Sequence, residues 1–463
     1  MVPTHRIPPE VTLACRRLQE AGFPAYVVGG AVRDLLRSPS DNSAKDFDLT
    51  TAAKPEQVIE VFGRKKVIPT GIAHGTVTVL CERESGKPHP IEITTFRGEV
   101  GFSDGRRPDR VEFITDLVED LRRRDFTVNA IAWDPVRQML VDPFDGQGDL
   151  LRKRIRAVGD PVARFAEDGL RVMRAVRFAA QLGFVVEPST REAFAGALST
   201  LRKVSRERIR DELLKLLSAS RPQLGLRLML HQSDESASLS WGHEGNMLQV
   251  VLPEVAHEIT DVHHAQVLFA AIESLPRPLR LGALLWPMRR WLASAGAKVL
   301  TVPKALGELL DERLKLPSAD RLHLTTLLTT HAIDPDFPDR IDPLHGASLR
   351  RLMAAHTAST LDALLATQQA FAQAEGDSSQ VARLTLLIGR VLDERAKRPP
   401  LQIGDLAVSG KDLLHELALP QGPLLGELLR ALLDSVLEDP SQNERALLLG
   451  KAKNLLSQRN FRH

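Results

Sequence analysis

From residue 9 the chain alternates short apolar runs with glycine and polar breaks. Residues 9–20, PEVTLACRRLQE, predict a helix stopped by Gly22, and AYVV at 25–28 then reads as a short buried strand. Gly29 and Gly30 end that strand, after which AVRDLL resumes a helical pattern. DFDLT at 46–50 is expected as a second strand, between the polar loop SPSDNSAK and a helix starting within TAAKPEQVIEVF. GTVTVL at 75–80 and PIEITTF at 90–96 are alternating or β-branched and predict a hairpin joined by ERESGKPH.

From about residue 160 the period changes. EDGLRVMRAVRFAAQLGF carries Leu170, Val172, Met173, Val176 and Phe178 near 3.6-residue spacing, and RERIRDELLKLL continues the pattern. Leucine-rich stretches near 280, 325, 350 and 380 read as packed helices, and SDESASLSWGHEGN at 233–246 reads as a loop. The expected class is α+β: a small head with a mixed sheet, then an elongated all-α region without internal repeats.

A chain of 463 residues exceeds one ordinary core and predicts two to four domains. With 43% hydrophobic and 26% charged residues it has the composition of a soluble globular protein. MVPTHRIPPE is not followed by a secretory pattern, and no apolar run approaches the ~20 residues of a membrane span, so a cytoplasmic protein is expected. Cys15 and Cys81 are the only cysteines, which excludes a disulfide framework and a thiolate-rich zinc or iron–sulfur centre. Net charge is only +2, but LRRRDF at 121–126, LLRKRIRAVGD at 150–160, RVMRAVR at 171–177 and LRKVSRERIR at 201–210 concentrate arginine mid-chain. Such clusters either bind phosphate or form a solvated helical surface.

The candidate chemistry begins with Asp46 and Asp48. A strand period points both carboxylates to one face and Phe47 to the core. Paired anions call for a cation, and Mg²⁺ fits through hard oxygen ligands while also holding nucleotide phosphates; an exposed turn would produce the same DxD spacing. VVGGAVRD puts two glycines where strand becomes helix, allowing close backbone approach to phosphate, with Arg33 in the first turn able to neutralise it. The alternative is a tight turn with a surface arginine. Glu92 alternates with Ile91 and Ile93, so it is either a third carboxylate of a two-metal site or a solvent-facing strand residue.

These motifs resemble, in order, those of the class II tRNA nucleotidyltransferase and bacterial poly(A) polymerase family, within the polymerase-β-like nucleotidyltransferases. The resemblance runs through VVGGAVRDLL, DFDLT, PTGIAHGTVTV, IEITTFRG, DGRRPDRVEF, DLRRRDFTVNAIAWD, DPFDGQGDL, EDGLRVMRAVRFAAQLGF and SRERIRDELLKLL, about the first 220 residues. It implies that Asp46 and Asp48 bind metal, that Glu92 is the auxiliary carboxylate, and that Gly29, Gly30 and Arg33 form the phosphate-binding turn. It places Arg124, Asp125 and Asn129 near the sugar and phosphates. It makes Asp168 and Arg171 the protein template for CTP and ATP, with Arg174 and Arg177 continuing that helix. Asp168 and Arg171, three residues apart, would share a helix face; a carboxylate there accepts from an exocyclic amino group and a guanidinium donates to ring acceptors. An ordinary i, i+3 ion pair has the same spacing.

The implied reaction is attack of a tRNA 3′-hydroxyl on the α-phosphate of CTP or ATP, with two Mg²⁺ ions and pyrophosphate as product. The implied partners are the tRNA 3′ end, CTP and ATP, with no membrane; a monomer and a homodimer are both compatible with the sequence. The implied domains are a catalytic head over 1–150, a helical neck recognising the base over 151–220, a body over 221–400 and a tail over 401–463. The loop RGEVGFSDGRRPDRVEF at 97–113, with Gly98, Gly101 and Gly105, resembles the loop that supports the switch from C to A addition, which disfavours CC-only addition. Poly(A) polymerase and A-only addition remain alternatives to full CCA addition.

HEITDVHHAQVLF at 257–269 and LRLGALLWPMRRW at 279–291 resemble the HD phosphohydrolase domain of some family members, but Trp286 and Pro287 stand where its His-Asp pair belongs. A degenerate domain without hydrolase activity is expected, leaving His257, His263 and His264 as surface or core residues. The segment at 409–440, in which Gly422 and Pro423 start a leucine-faced helix, resembles the tail behind that domain. Trp241, Trp286 and Trp291 are expected in the core rather than stacked on RNA.

Overall fold

The computed structural model describes residues 4–37, 46–83, 86–100, 110–230, 246–289, 292, 302–330, 333, 346–419 and 421–460. The chain divides into two compact units. The first comprises Met1–His257 with Asp311–Leu316, and the second Glu258–Leu310 with Pro317–His463.

The first unit opens with α1 (Pro9–Glu20), β1 (Ala25–Val28) and α2 (Gly30–Arg37), followed by β2 (Asp48–Thr51), α3 (Pro55–Phe62), β3 (Val67–Gly71), β4 (Thr76–Cys81) and β5 (His89–Thr95). A small hairpin of β6 (Arg97–Val100) and β7 (Arg110–Phe113) comes next, then α4 (Leu117–Arg122), β8 (Ala132–Asp134), β9 (Met139–Val141) and α5 (Gly146–Leu151). Seven strands form one sheet in the order β3-β4-β5-β2-β1-β8-β9. The β2–β5 pair is parallel and its neighbours are antiparallel, so the sheet is mixed as expected. Alternation buries one side of each central strand: Val27, Leu49, Ile91 and Ile93 are all within 1% of complete burial.

The β4–β5 hairpin forms as predicted, with Thr78 opposite Glu92. Strand β2, however, begins at Asp48, and Asp46 and Phe47 precede it. Phe47 is nonetheless buried while both aspartates are exposed, so the side-to-side alternation survives the shorter strand. The sequence pattern did not yield β3, β8 and β9, which are edge or near-edge strands of three to five residues.

The rest of this unit is helical apart from a parallel pair, β10 (Arg154–Ile155) with β11 (Val185–Val186). Its main helices are α6 (Pro161–Glu167), α7 (Leu170–Leu182), α8 (Pro188–Glu192), α9 (Phe194–Leu201), α10 (Arg206–Leu217) and α11 (Pro222–Met229). Helices α10 and α11 both pack on α7, whose Val172, Met173, Ala175 and Val176 are fully buried.

The described residues of the second unit are all helical or irregular. One core gathers Leu349, Leu361, Leu364, Leu384, Leu387 and Val391. A second gathers Leu413, Leu428, Leu432, Val436 and Leu448, from Gly410–Glu416, Pro423–Glu438 and Arg445–Asn460. Pro423 starts its helix as expected, at a position where its missing N–H would have no intrahelical partner anyway. Trp286 stacks on Phe371 with ring centroids 5.9 Å apart and carries the Arg289 guanidinium on its other contact, 4.2 Å from the ring centre. His257 and His263 are exposed, and His264 is half-buried with Nδ1 2.8 Å from Thr260 Oγ1. Trp241, Trp291, Gly101, Gly105 and the loop predicted at 233–246, except Asn246, lie outside the described residues. No described helix is long and apolar enough to cross a membrane.

Candidate active site

Asp48 and Glu92 lie side by side in the central sheet, and Asp46 just before β2 adds a third carboxylate close enough to act on Asp48. Asp48 lies opposite Val28 of β1, and the parallel register that pairs Leu49 with Ile93 places Glu92 beside Asp48 one step back. Solvent reaches Asp48, yet the protein packed around its carboxyl pushes the pKa up to about 6. Glu92 adds to that rise, Arg124 opposes it, and Asp46 contributes further. The group is short of positive charge. Among the described residues no three His, Cys, Asp or Glu side chains form a ready metal cage. Two carboxylates with open positions suit Mg²⁺, which keeps several ligand sites for water and substrate phosphate.

The glycine turn follows immediately from β1. Gly29 has φ +74°, a left-handed conformation that disfavours any side chain, and a Cβ there would lie 3.3 Å from Arg124 Nη1. Helix α2 starts at Gly30, so its first amides face outward from the turn without intrahelical acceptors. Arg33 is 6% exposed and turns inward: it forms a paired contact with Asp34 at 2.9 Å and 2.9 Å, and Nη1 donates to Asn129 Oδ1 at 2.8 Å. Its guanidinium also lies 5.1 Å from the centre of the Phe178 ring. It braces the turn rather than projecting from it.

Asn129 passes the connection on, with Nδ2 donating to Asp125 Oδ1 at 3.0 Å. Asp125 also accepts from the Phe126 amide at 2.8 Å and from Arg174 Nε at 2.6 Å. Burial alone would raise this carboxyl, but the Arg174 charge and the hydrogen bonds hold it well below the usual carboxylate range. Arg174 Nη1 stands 3.9 Å from Glu212 of α10, whose other oxygen accepts from Arg177 Nε. Arg177 lies 3.9 Å and Arg174 5.4 Å from the Phe178 ring centre.

Asp168 and Arg171, the pair expected to read the base, depart from expectation. Asp168 and Arg171 do not share a helix face, because the helix breaks between them. Asp168 is extended, with φ −146° and ψ 107°, and its Oδ1 accepts from the Leu170 amide to start α7. Gly169, itself in the right-handed helical region, lets this turn lie against the 200–201 backbone, where a Cβ would meet atoms of Thr200 and Leu201 at 2.5 Å. Asp168 is held by Arg208, with Nη2 at 2.7 Å and Nη1 at 3.4 Å. Arg171 bonds Glu167, the Arg164 carbonyl at 2.8 Å and the Arg123 carbonyl at 3.0 Å.

Residues 25–156 match the "Poly A polymerase head domain" family, and residues 183–233 match the "Probable RNA and SrmB-binding site of polymerase A". Residues 356–452 match tRNA nucleotidyltransferase domain 2. The CCA-adding enzyme of Lactobacillus johnsonii is 50% identical over 226 residues, covering 48% of this chain and 54% of that protein. At that identity the chain spans about half the length of its relative. The CCA-adding enzyme of Lactococcus lactis subsp. cremoris is 34% identical over 449 residues, covering 95% of this chain and 94% of that protein. The chain belongs to the CCA-adding enzyme family. The Bacillus stearothermophilus CCA-adding enzyme in complex with CTP superposes with TM-score 0.65 at 28% identity, over 98% of both chains.

In this member of the CCA-adding family, sequence reasoning missed Thr50, Asp120, Arg208 and Glu212. Two of them left a signal. Glu212 falls among Ile209, Leu213 and Leu216 on the buried stripe of α10, where a carboxylate needs a cationic partner. Asp120 lies three and four residues before Arg123 and Arg124, at helical contact spacing. Thr50 and Arg208 act across the fold, and nothing in their neighbourhoods along the chain marks them.

Proposed function

We propose that the chain adds C, C and A from CTP and ATP to the 3′ end of tRNA without a nucleic-acid template, releasing pyrophosphate. The observation that carries this reading is the 34% identity to a CCA-adding enzyme along 95% of the chain. The likeness to a CTP-bound CCA-adding enzyme supports CTP as a substrate.

In this reading Asp46 and Asp48 hold Mg²⁺ and Glu92 orients the attacking 3′-hydroxyl. Two Mg²⁺ ions, when bound, supply Lewis acidity to the attacking oxygen and to the departing pyrophosphate. The new bond joins the tRNA 3′-oxygen to the α-phosphorus, the bond to the β-phosphate oxygen breaks, and the hydroxyl proton leaves to solvent. Gly29, Gly30 and the first amides of α2 receive triphosphate oxygens. Arg124, beside both Gly29 and Asp48, offers charge to the same oxygens. Arg33, Asp125 and Asn129 keep the sugar side rigid. Asp168 and Arg171 present an acceptor and donors to the Watson–Crick edges of cytosine and adenine, and Arg174 and Arg177 fix the helix that carries Arg171. The Arg208 guanidinium fixes the Asp168 side chain in place, and oxygens that only accept favour an incoming amino group over a carbonyl.

The parts then correspond to a catalytic head over 1–150, a neck over 151–220, a body with a degenerate HD-like region over 221–400 and a tail over 401–463. An enzyme acting on tRNA in this way would work in the cytoplasm. The test offers tRNA ending at the discriminator base, at C or at CC, with each nucleotide supplied separately. Stepwise C, C and A followed by termination is expected. Long A tracts on unrelated RNA would instead identify a poly(A) polymerase, and A addition solely to CC-ended tRNA an A-adding enzyme.

A further inference from the structure

Asp120 of α4 is fully buried and has no part in the roles above. Its two oxygens collect donors from three places. Oδ1 accepts from the Arg97 amide at 3.2 Å and from Arg123 Nε at 3.0 Å. Oδ2 accepts from Thr50 Oγ1 at 3.1 Å and stands 3.7 Å from Arg124 Nη2.

Three of these partners lead to the site described above, and the fourth, Arg97, to the hairpin beside it. Thr50 lies two residues beyond Asp48 on β2. Arg97 opens β6, the first strand of the small hairpin. The Arg123 carbonyl accepts from Arg171 Nη2 at 3.0 Å. Arg124 is the informative case: it lies against Gly29, and its buried Nε has no hydrogen-bond partner among the described residues. Asp120 is the one carboxylate in ion-pair range of it among those residues. A guanidinium held so lightly stays available to an incoming phosphate, and its position depends on the one anion behind it.

We propose that Asp120 is a positioning residue for nucleotidyl transfer, setting Arg124 beneath the glycine turn and registering it against Asp48 through Thr50. This rests on the activity proposed above. Full removal of the charge leaves Arg123 and Arg124 in a buried site with one anion fewer, so the guanidinium that should meet the triphosphate shifts.

The test is a double-mutant cycle on CMP incorporation into tRNA by the full chain: wild type, D120N, R124K and D120N/R124K, with T50V in both backgrounds. In the wild-type background D120N is expected to lower kcat/KM for CTP about ten- to hundredfold, with KM raised and tRNA affinity unchanged. In the R124K background the same change should cost less than about threefold, because its route of action is already impaired. T50V removes one hydroxyl from the same carboxylate, keeps the charge, and should show the same non-additivity on a smaller scale if D120N fails to fold. Undiminished costs in the R124K background, or a loss confined to tRNA binding, overturn the proposal while leaving the activity intact. A wild type that incorporates nothing overturns the activity and this proposal together.

Discussion

Replacing Arg174 with methionine tests whether the buried polar chain from the head to α10 is held by charge. Asp125 is 8% exposed; burial pushes its carboxyl up, and in the wild type the Arg174 charge, together with the hydrogen bonds from Asn129, Arg174 and Phe126, more than offsets that. Methionine removes that cation, leaving the Asn129 amide and the Phe126 N–H as partners. Stranding one member of a buried ion pair costs about 3–5 kcal/mol. Arg174 keeps 34% of its side chain exposed, so water re-enters and the lower end, about 3 kcal/mol, is expected. For a unit of this size that is a fall in Tm of roughly 6–12 °C.

The pH dependence fixes the cause. In the wild type Asp125 has a folded pKa below its unfolded value of about 3.9, so its stabilisation is complete above that value and is lost as pH falls through the lower folded one. In R174M burial dominates, the folded pKa moves above the unfolded one, and the folded state takes up a proton first on acidification. The destabilisation should therefore shrink between pH 7.5 and 5.5, by up to about 1.4 kcal/mol for each pH unit below the new pKa. Urea unfolding at the two pH values, followed through the buried Trp133, measures it. An equal destabilisation at both, or one under about 1 kcal/mol, refutes the reasoning.

Asp48→Asn should reduce incorporation by more than about a thousandfold while leaving Tm unchanged or higher, since it relieves repulsion from Glu92 and Asp46; a matching loss of fold would undo the metal assignment. Gly29→Ala should cost about 1–2 kcal/mol in the left-handed region and raise nucleotide KM by crowding Arg124, measured by melting and steady-state kinetics; unchanged KM would remove the turn from the phosphate site. Arg171→Ala should let UTP and GTP compete with CTP and ATP more than it weakens tRNA binding, and unaltered selectivity in competition assays would count against the base-reading role.

Where periodicity governs, the sequence was legible. Helix α1 and strand β1 begin and end where predicted, and Ile91 and Ile93 point inward with Glu92 outward, because one buried face dictates each pattern. The Asp46 and Asp48 alternation was read correctly although the strand is shorter than expected. The apparent continuity of EDGLRVMR was misleading. Apolar spacing survives across Gly169, but the close approach of residues 200 and 201 is a tertiary demand that no window around 169 contains. The roles of Arg33 and Arg171 were similarly hidden, since their acceptors Asn129 and the Arg123 carbonyl lie 96 and 48 residues away.

The arginine clusters carry the same lesson into function. Arg33, Arg171 and Arg177 are all 9% exposed or less, and with Arg174 they are committed to Asp34, Asn129, Glu167, Asp125, Glu212 and the Phe178 ring. Guanidiniums so placed cannot release counterions from an RNA backbone, which is the source of salt-dependent affinity. In the proposed function they would instead brace the nucleotide site from within. A site that selects bases by protein side chains alone needs that rigidity more than it needs surface charge. Under the proposed function, affinity for the tRNA backbone would fall to exposed cations such as Lys153, Arg202 and Lys203. That division would let a chain with a net charge of only +2 act on a polyanion.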